Sequence, residues 1–243
     1  MLQPRRLTGP HPGQALRLLS ETKLLSKVLP EVEAMRGVEQ PPQYHPEGDV
    51  FTHTVLSLDT LPPAPSPTLA IATLLHDVGK PPTFEIADRI RFNQHAAAGA
   101  EMVDGICRRL KFSNDDRERI VALVRDHMQF LHVQEMRPSK LRRFIGQEHF
   151  DEHLALHRSD CLSSHRNLDN YDFCQTRLRE YAEASSEPVL PPPLLNGDAL
   201  IRMGYKPGPR MGEILHTLRD AQLDSELHTS EEAMEWVKKH YPN

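Results

Sequence analysis

The sequence predicts an all-α protein: a helical bundle followed by a C-terminal helical appendage, with one small β-hairpin near residues 83–92. Three observations carry this. Apolar residues recur at helical spacing along most of the 243 residues. Strand-type alternation is confined to one short stretch, and prolines cluster at breaks such as LPPAPSP and SSEPVLPPP.

Taken in order, Leu16, Leu19, Leu24 and Val28 predict a helix over 15–29 that Pro30 stops. Residues 49–60 (DVFTHTVLSLDT) and 68–78 (TLAIATLLHDV) read as helices capped by Asp49 and Thr68, with LPPAPSP between them as a rigid linker. Gly79 supplies a C-cap. TFEIADRIRF then alternates around Asp88 and Arg89 as a hairpin does. Helices resume over about 95–111 and 114–129, the second capped by Ser113 or Asn114, followed by Pro138–Ile145 ending at Gly146, about 148–165, and 169–184. The stretch 185–193, with four prolines in nine positions, is the best boundary. Beyond it come helices at about 197–203, 210–223 and 230–240, with a PGP turn at 207–209. The chain thus divides into an N-terminal helical segment (1–44), a central domain (45–184) and an appendage (185–243).

With 29 Lys and Arg against 34 Asp and Glu, the net charge of -5 argues against a protein built for non-specific grip on nucleic acid. Three cysteines without CxxC pairing indicate neither a disulfide framework nor a thiolate zinc site, and imply a reducing compartment. The longest apolar run, Leu69 to Leu75, is too short for a membrane helix, and the first residues lack the apolar core of a signal peptide. A soluble cytoplasmic protein is expected. The anomaly is histidine: ten of the 14 fall between residues 45 and 165.

His76 and Asp77 stand where an apolar helix runs out, so both project beyond its last turn. His53 lies among Val50, Phe51, Val55 and Leu56, and Asp160 among Leu154, Leu156 and Leu162. Polar groups at buried positions are costly unless paired or bound to metal. Imidazole with carboxylate suits iron, manganese, nickel or zinc better than calcium.

This order, H...HD...D, resembles the HD superfamily of metal-dependent phosphohydrolases. GVEQPPQYHPEGDVFTHT, IATLLHDVGKPPTF, RIRFNQHAAAGAEM, RIVALVRDHM, LRRFIGQ, LALHRSDCLSSH and the tail LLNGDALIRMGYKPGPRMGEILHTLRDAQLDSELHTSEEA are similar to successive blocks of the body region of bacterial tRNA nucleotidyltransferases, the CCA-adding and poly(A) polymerase family. That family's catalytic head carries a DxD carboxylate pair, and no Asp-x-Asp triplet occurs here. A stand-alone HD protein or a fragment of a longer family member, unable to add nucleotides by itself, is therefore expected.

The resemblance implies an HD-domain bundle in which His53, His76, Asp77 and Asp160 hold a first ion. His95 and His127 add a second, with Asp77 bridging and acting at the catalytic centre. Met128 stands where some two-metal relatives carry another histidine. The cofactor expected is a divalent transition metal, two ions, iron or manganese first and nickel or zinc after them, activating water and clamping phosphoryl oxygens. Lys80 is the expected phosphate contact and stabiliser of leaving-group charge, and Arg125 and His157 are candidate substrate contacts. Arg142, Arg143 and Phe144 form a small basic and aromatic group that could meet RNA.

Bacterial CCA-adding enzymes with an intact HD body hydrolyse 2′,3′-cyclic and 2′-phosphates. The leading expectation is accordingly a phosphohydrolase of small phosphate esters or nucleotides, best a 2′,3′-cyclic nucleotide phosphodiesterase, with an RNA 3′ end as a further substrate and no membrane partner. Two other readings stand beside it: a non-catalytic tRNA- or RNA-binding body, and another HD chemistry such as dNTP or guanosine-tetraphosphate hydrolysis. Sequence leaves the oligomeric state open.

Overall fold

The computed structural model describes residues 8–184 and 188–242. In chain order its helices are α1 (Pro12–Glu21), α2 (Leu25–Val28), α3 (Pro30–Glu33), α4 (Val50–Asp59) and α5 (Pro67–Leu75). The antiparallel hairpin of β1 (Phe84–Ile86) and β2 (Ile90–Phe92) follows, then α6 (His95–Arg109), α7 (Asn114–Asp126), a 3-10 stretch (His127–Glu135), α8 (Pro138–Ile145) and α9 (Phe150–Ser163). The chain continues through α10 (Asp169–Ala184), α11 (Gly197–Arg202), α12 (Pro209–Leu223) and α13 (Ser230–His240). This is the expected all-α class, a helical bundle with one small hairpin. Among the described residues no helix is long and apolar enough to cross a membrane.

α5 is the centre of the larger core. Every residue from Thr68 to Leu75 is buried, as a helix apolar on all sides requires. Leu16 of α1, Val55 of α4, Val103 of α6, Leu123 of α7 and Leu156 of α9 share its core. A separate core joins Leu200 of α11, Ile214 and Leu218 of α12, and Val237 of α13. The chain divides into two compact units, one of residues 1–131 and 151–172, the other of 132–150 and 173–243. These cut the chain elsewhere than the proline-based segmentation, and residues 185–187 of the proposed boundary lie outside the described residues.

Several local expectations change. The helix over 15–29 is broken: Thr22 turns its hydroxyl back on the Leu18 carbonyl (2.7 Å) and Lys23 is left-handed at φ 59°. Pro30 then occupies the first position of α3, where its missing N–H costs nothing. α5 is capped by Ser66, whose hydroxyl accepts from the Leu69 N–H at 3.0 Å, and Thr68 lies inside the helix. α5 also ends at Leu75, so Gly79 is no C-cap. α7 gives way to 3-10 geometry at His127. Arg142 and Arg143 are spent within the second unit: Arg143 pairs with Asp220 at 2.7 Å, and Arg142 stacks over Tyr181 at 4.9 Å.

In the first unit Glu152 ties three helices together. It is buried and accepts from Ser66 and Thr68 at the start of α5 while pairing with Arg119 of α7 at 2.6 Å. Removing the carboxylate leaves the Ser66 and Thr68 hydroxyls without their acceptor, so Glu152→Ala is expected to destabilise the fold by about 2 kcal/mol. Urea denaturation measures this; a midpoint equal to wild type refutes the anchoring role.

Candidate metal centre

Four imidazoles and two carboxylates converge in the first unit. His53 is central in α4, a helix whose start is fixed by Asp49 accepting from the Thr52 N–H at 2.8 Å. His76 and Asp77 follow the last residue of α5, and Pro81 prevents the helix from continuing. His95 opens α6 and His127 follows α7. Asp160 belongs to α9, which a hydroxyl seam lays against α4. In that seam Ser57 Oγ meets Ser163 Oγ at 2.7 Å, Thr60 Oγ1 meets Ser159 Oγ at 2.8 Å, and Ser159 donates to the Ser57 carbonyl at 2.6 Å.

Gly79 brings the turn after α5 onto α6. A Cβ there would stand 2.1 Å from the His95 carbonyl oxygen and 2.6 Å from the Gly99 nitrogen. Only glycine permits this approach, which sets Asp77 beside His95.

The six residues form two groups of three, His53 with His76 and Asp160, and Asp77 with His95 and His127, with ligand-type atoms within 4.8 Å of one another in each. Asp77 links them. Its Oδ2 lies 3.3 Å from His76 Nε2 and 3.8 Å from His53 Nε2, and its Oδ1 lies 3.6 Å from His95 Nε2 and 3.9 Å from His127 Nε2. Asp160 Oδ1 approaches His53 Nε2 at 3.0 Å.

The donor set fits divalent transition metal. His76, His95 and His127 each donate Nδ1–H to a backbone carbonyl, those of Thr73 (2.8 Å), Phe92 (3.0 Å) and Val124 (2.6 Å). His53 Nδ1 donates to Glu47 Oε1 at 2.7 Å. With the Nδ1 protons so placed, the rings turn their Nε2 atoms on each other at 3.3 Å (His53 and His76) and 3.2 Å (His95 and His127), and in the second pair, where burial disfavours charge on both rings, lone pair faces lone pair. Facing lone pairs repel unless a cation lies among them. Fixed tautomers with converging Nε2 atoms are what a metal centre needs.

Charge distribution agrees. Burial pushes the Asp77 carboxyl up, yet the charges of His76 and Lys80 hold it well below the carboxylate range. Burial opposes charge on His53, but hydrogen bonds to Asp160 and Glu47 raise it to about 9. Burial pushes His127 down to about 3, helped by His95 and His76.

The candidate substrate contacts sit differently. Lys80 is buried, with Nζ 2.7 Å from Asp77 Oδ2 and 2.7 Å from Gln40 Oε1, so two of its three N–H directions face protein. Arg125 forks onto Asp126 with both contacts at 3.0 Å, and its side chain is 57% exposed. His157 stacks on Phe130 at 4.2 Å, and burial pushes it down to about 4, a neutral packed ring.

Sequence reasoning missed Glu47, His45 and Gln40. His45 Nδ1 also donates to Glu47 Oε1, at 2.8 Å. The available signal was a carboxylate six residues before a ligand-type histidine, in the quoted block HPEGDVFTHT.

Residues 52–157 match the model of the HD domain family. Five of the six clustered residues, His53, His76, Asp77, His95 and His127, lie inside this HD-domain match, and Asp160 lies three residues beyond it. It is similar along nearly its whole length to tRNA nucleotidyltransferases. It is 34% identical to the A-adding tRNA nucleotidyltransferase of Deinococcus radiodurans, covering 96% of this chain and 56% of that protein. With the CC-adding tRNA nucleotidyltransferase of Thermus thermophilus identity is 32%, covering 94% and 53%, and with the Multifunctional CCA protein of Halorhodospira halophila it is 30%, covering 88% and 52%. The chain spans about half the length of the curated relatives it matches.

Proposed function

We propose that the chain is a metal-dependent phosphohydrolase of small phosphate esters, foremost a 2′,3′-cyclic nucleotide phosphodiesterase. One observation carries this reading: two triads, buried except for the half-buried Asp160, that Asp77 of the second links by turning one carboxylate oxygen on each histidine pair. His53, His76, Asp160 and Asp77 Oδ2 would hold one ion, and Asp77 Oδ1, His95 and His127 the other, iron or manganese before nickel or zinc. When bound, such ions supply Lewis acidity toward phosphoryl oxygens and acidify water.

Lys80 neutralises Asp77 and also lies over the Phe92 ring at 5.5 Å, so a phosphate would have to displace one of its present contacts. Arg125 is a peripheral candidate that would leave Asp126 to meet an anion, and His157, stacked on Phe130, serves the reading as a packed ring of α9 three residues before Asp160. A cleft of 640 Å³ lined by Glu47, Leu56, Thr60, Ser163 and Arg166 adjoins the His53 half. Its size suits a small organic molecule such as a nucleoside.

The test is metal analysis of protein prepared without chelator, followed by a panel of 2′,3′-cyclic nucleotides, nucleoside monophosphates, dNTPs and guanosine tetraphosphate with Mn, Fe, Ni and Mg. One to two equivalents of metal and turnover of the cyclic nucleotides are expected. A folded chain that takes up no transition metal refutes the reading, and turnover of dNTPs or guanosine tetraphosphate alone moves it to another HD chemistry.

A second reading, an RNA-binding body without catalysis, is favoured by one observation: the match to tRNA nucleotidyltransferases extends over 96% of the chain, second unit included. It predicts salt-dependent tRNA binding by metal-free protein and no hydrolysis of any phosphate.

A further inference from the structure

We infer that Glu47 is the positioning residue for His53 and makes the His53 half of the centre the tighter metal site. This rests on the metal-dependent reading above. Three of the four imidazoles stand at helix ends, and each spends its Nδ1–H on the carbonyl three residues earlier: Thr73 for His76, Phe92 for His95, Val124 for His127. His53 has no such carbonyl. It sits inside α4, where the backbone acceptors are engaged in the helix. The segment before α4 supplies a side chain instead, Glu47 Oε1 at 2.7 Å.

The substitute is charged, and that changes the chemistry. A carboxylate binds Nδ1–H more strongly than a carbonyl does and makes the opposite nitrogen a better donor to metal. Glu47 is itself held by His45, which donates to the same oxygen at 2.8 Å with its ring edge-on to His53 at 4.9 Å. The Glu47 side chain is only 7% exposed, and its other oxygen, Oε2, is buried without a hydrogen-bond partner. A buried carboxylate with an idle oxygen is a poor device for stability alone. Fixing the His53 tautomer, with Nε2 turned on Asp160 and His76, accounts for its place.

The test is Zn²⁺ titration of metal-free full-length chain against a chromophoric chelator, for wild type, Glu47→Gln and Glu47→Ala, with thermal melts of each metal-free protein. Wild type is expected to bind in two steps. Glu47→Ala should weaken the tighter step by about 10- to 100-fold and leave the other within about two-fold. Glu47→Gln, which keeps an acceptor but loses the charge, should fall between. If both steps fall together in parallel with the melting temperature, or if neither moves in a folded variant, the inference is overturned while the functional reading stands. If wild type binds no Zn²⁺ the functional reading falls, and this one with it.

Discussion

Asp77→Asn is expected to lose both ions at once, whereas Asp160→Asn should lose one. The reason is geometric. The two oxygens of Asp77 face different histidine pairs, at 3.3 Å from His76 Nε2 and 3.6 Å from His95 Nε2, while Asp160 Oδ1 meets His53 at 3.0 Å. Metal analysis should read near zero for the first variant and about half the wild-type content for the second. Hydrolysis by Asp77→Asn should fall at least about 1,000-fold, equivalent to about 4 kcal/mol of lost stabilisation of transition-state charge. The substitution also strands the buried Lys80 ammonium, which stands 2.7 Å from Asp77. Stranding a buried charge costs roughly 3–5 kcal/mol. Adding Lys80→Met to Asp77→Asn should therefore recover stability without recovering metal, separating fold from site. Equal metal content in the two single variants sinks the bridging role.

The legible parts of this molecule are those in which spacing along the chain carries geometry. α4, α5, α6 and α7 follow from periodicity and caps, and the hairpin from alternation around Asp88. His76 and Asp77 could be placed because a wholly apolar helix ends there. The convergence of His95, His127 and Asp160 on them was expected from family resemblance, since no local rule brings residues from three other helices together. Gln40 was illegible, and Glu47 legible only as a carboxylate six residues before His53, because both precede α4 in irregular backbone, where separation in sequence says nothing about direction. Lys80 reads from sequence as a phosphate contact, yet its spacing of three from Asp77 within one turn also made a buried ion pair available. The break at Lys23 went unseen because a left-handed residue other than glycine leaves no mark in composition. Ser66 was passed over as the cap of α5 because Pro67 looked like linker rather than first helical residue.

Gly79→Ala is expected to be the most damaging single-methyl change in the first unit, and the comparison with Gly99→Ala shows why. Both glycines lie at the same contact, yet they do not face it equally. An added Cβ at Gly79 meets backbone, the His95 carbonyl oxygen at 2.1 Å and the Gly99 nitrogen at 2.6 Å. At Gly99 it meets the Gly79 nitrogen at 3.4 Å and a Val124 methyl at 3.5 Å, close to ordinary contact. Backbone cannot swing away as a side chain can, so Gly79→Ala must push the turn holding Asp77 off α6. A cost of about 3 kcal/mol or more is expected, at the upper end for overpacking, or roughly 6–12 °C in the melting temperature of a unit this size. Gly99→Ala relieves a glycine inside a helix, and the gain of up to about 1 kcal/mol offsets the snug fit. The same displacement separates Asp77 from His95 while leaving His53, His76 and Asp160 together. Any Gly79→Ala protein that folds should thus lose the weaker metal step before the tighter one. Similar melting temperatures for the two glycine variants, or equal loss of both metal steps, contradict a turn held in register by this one close approach.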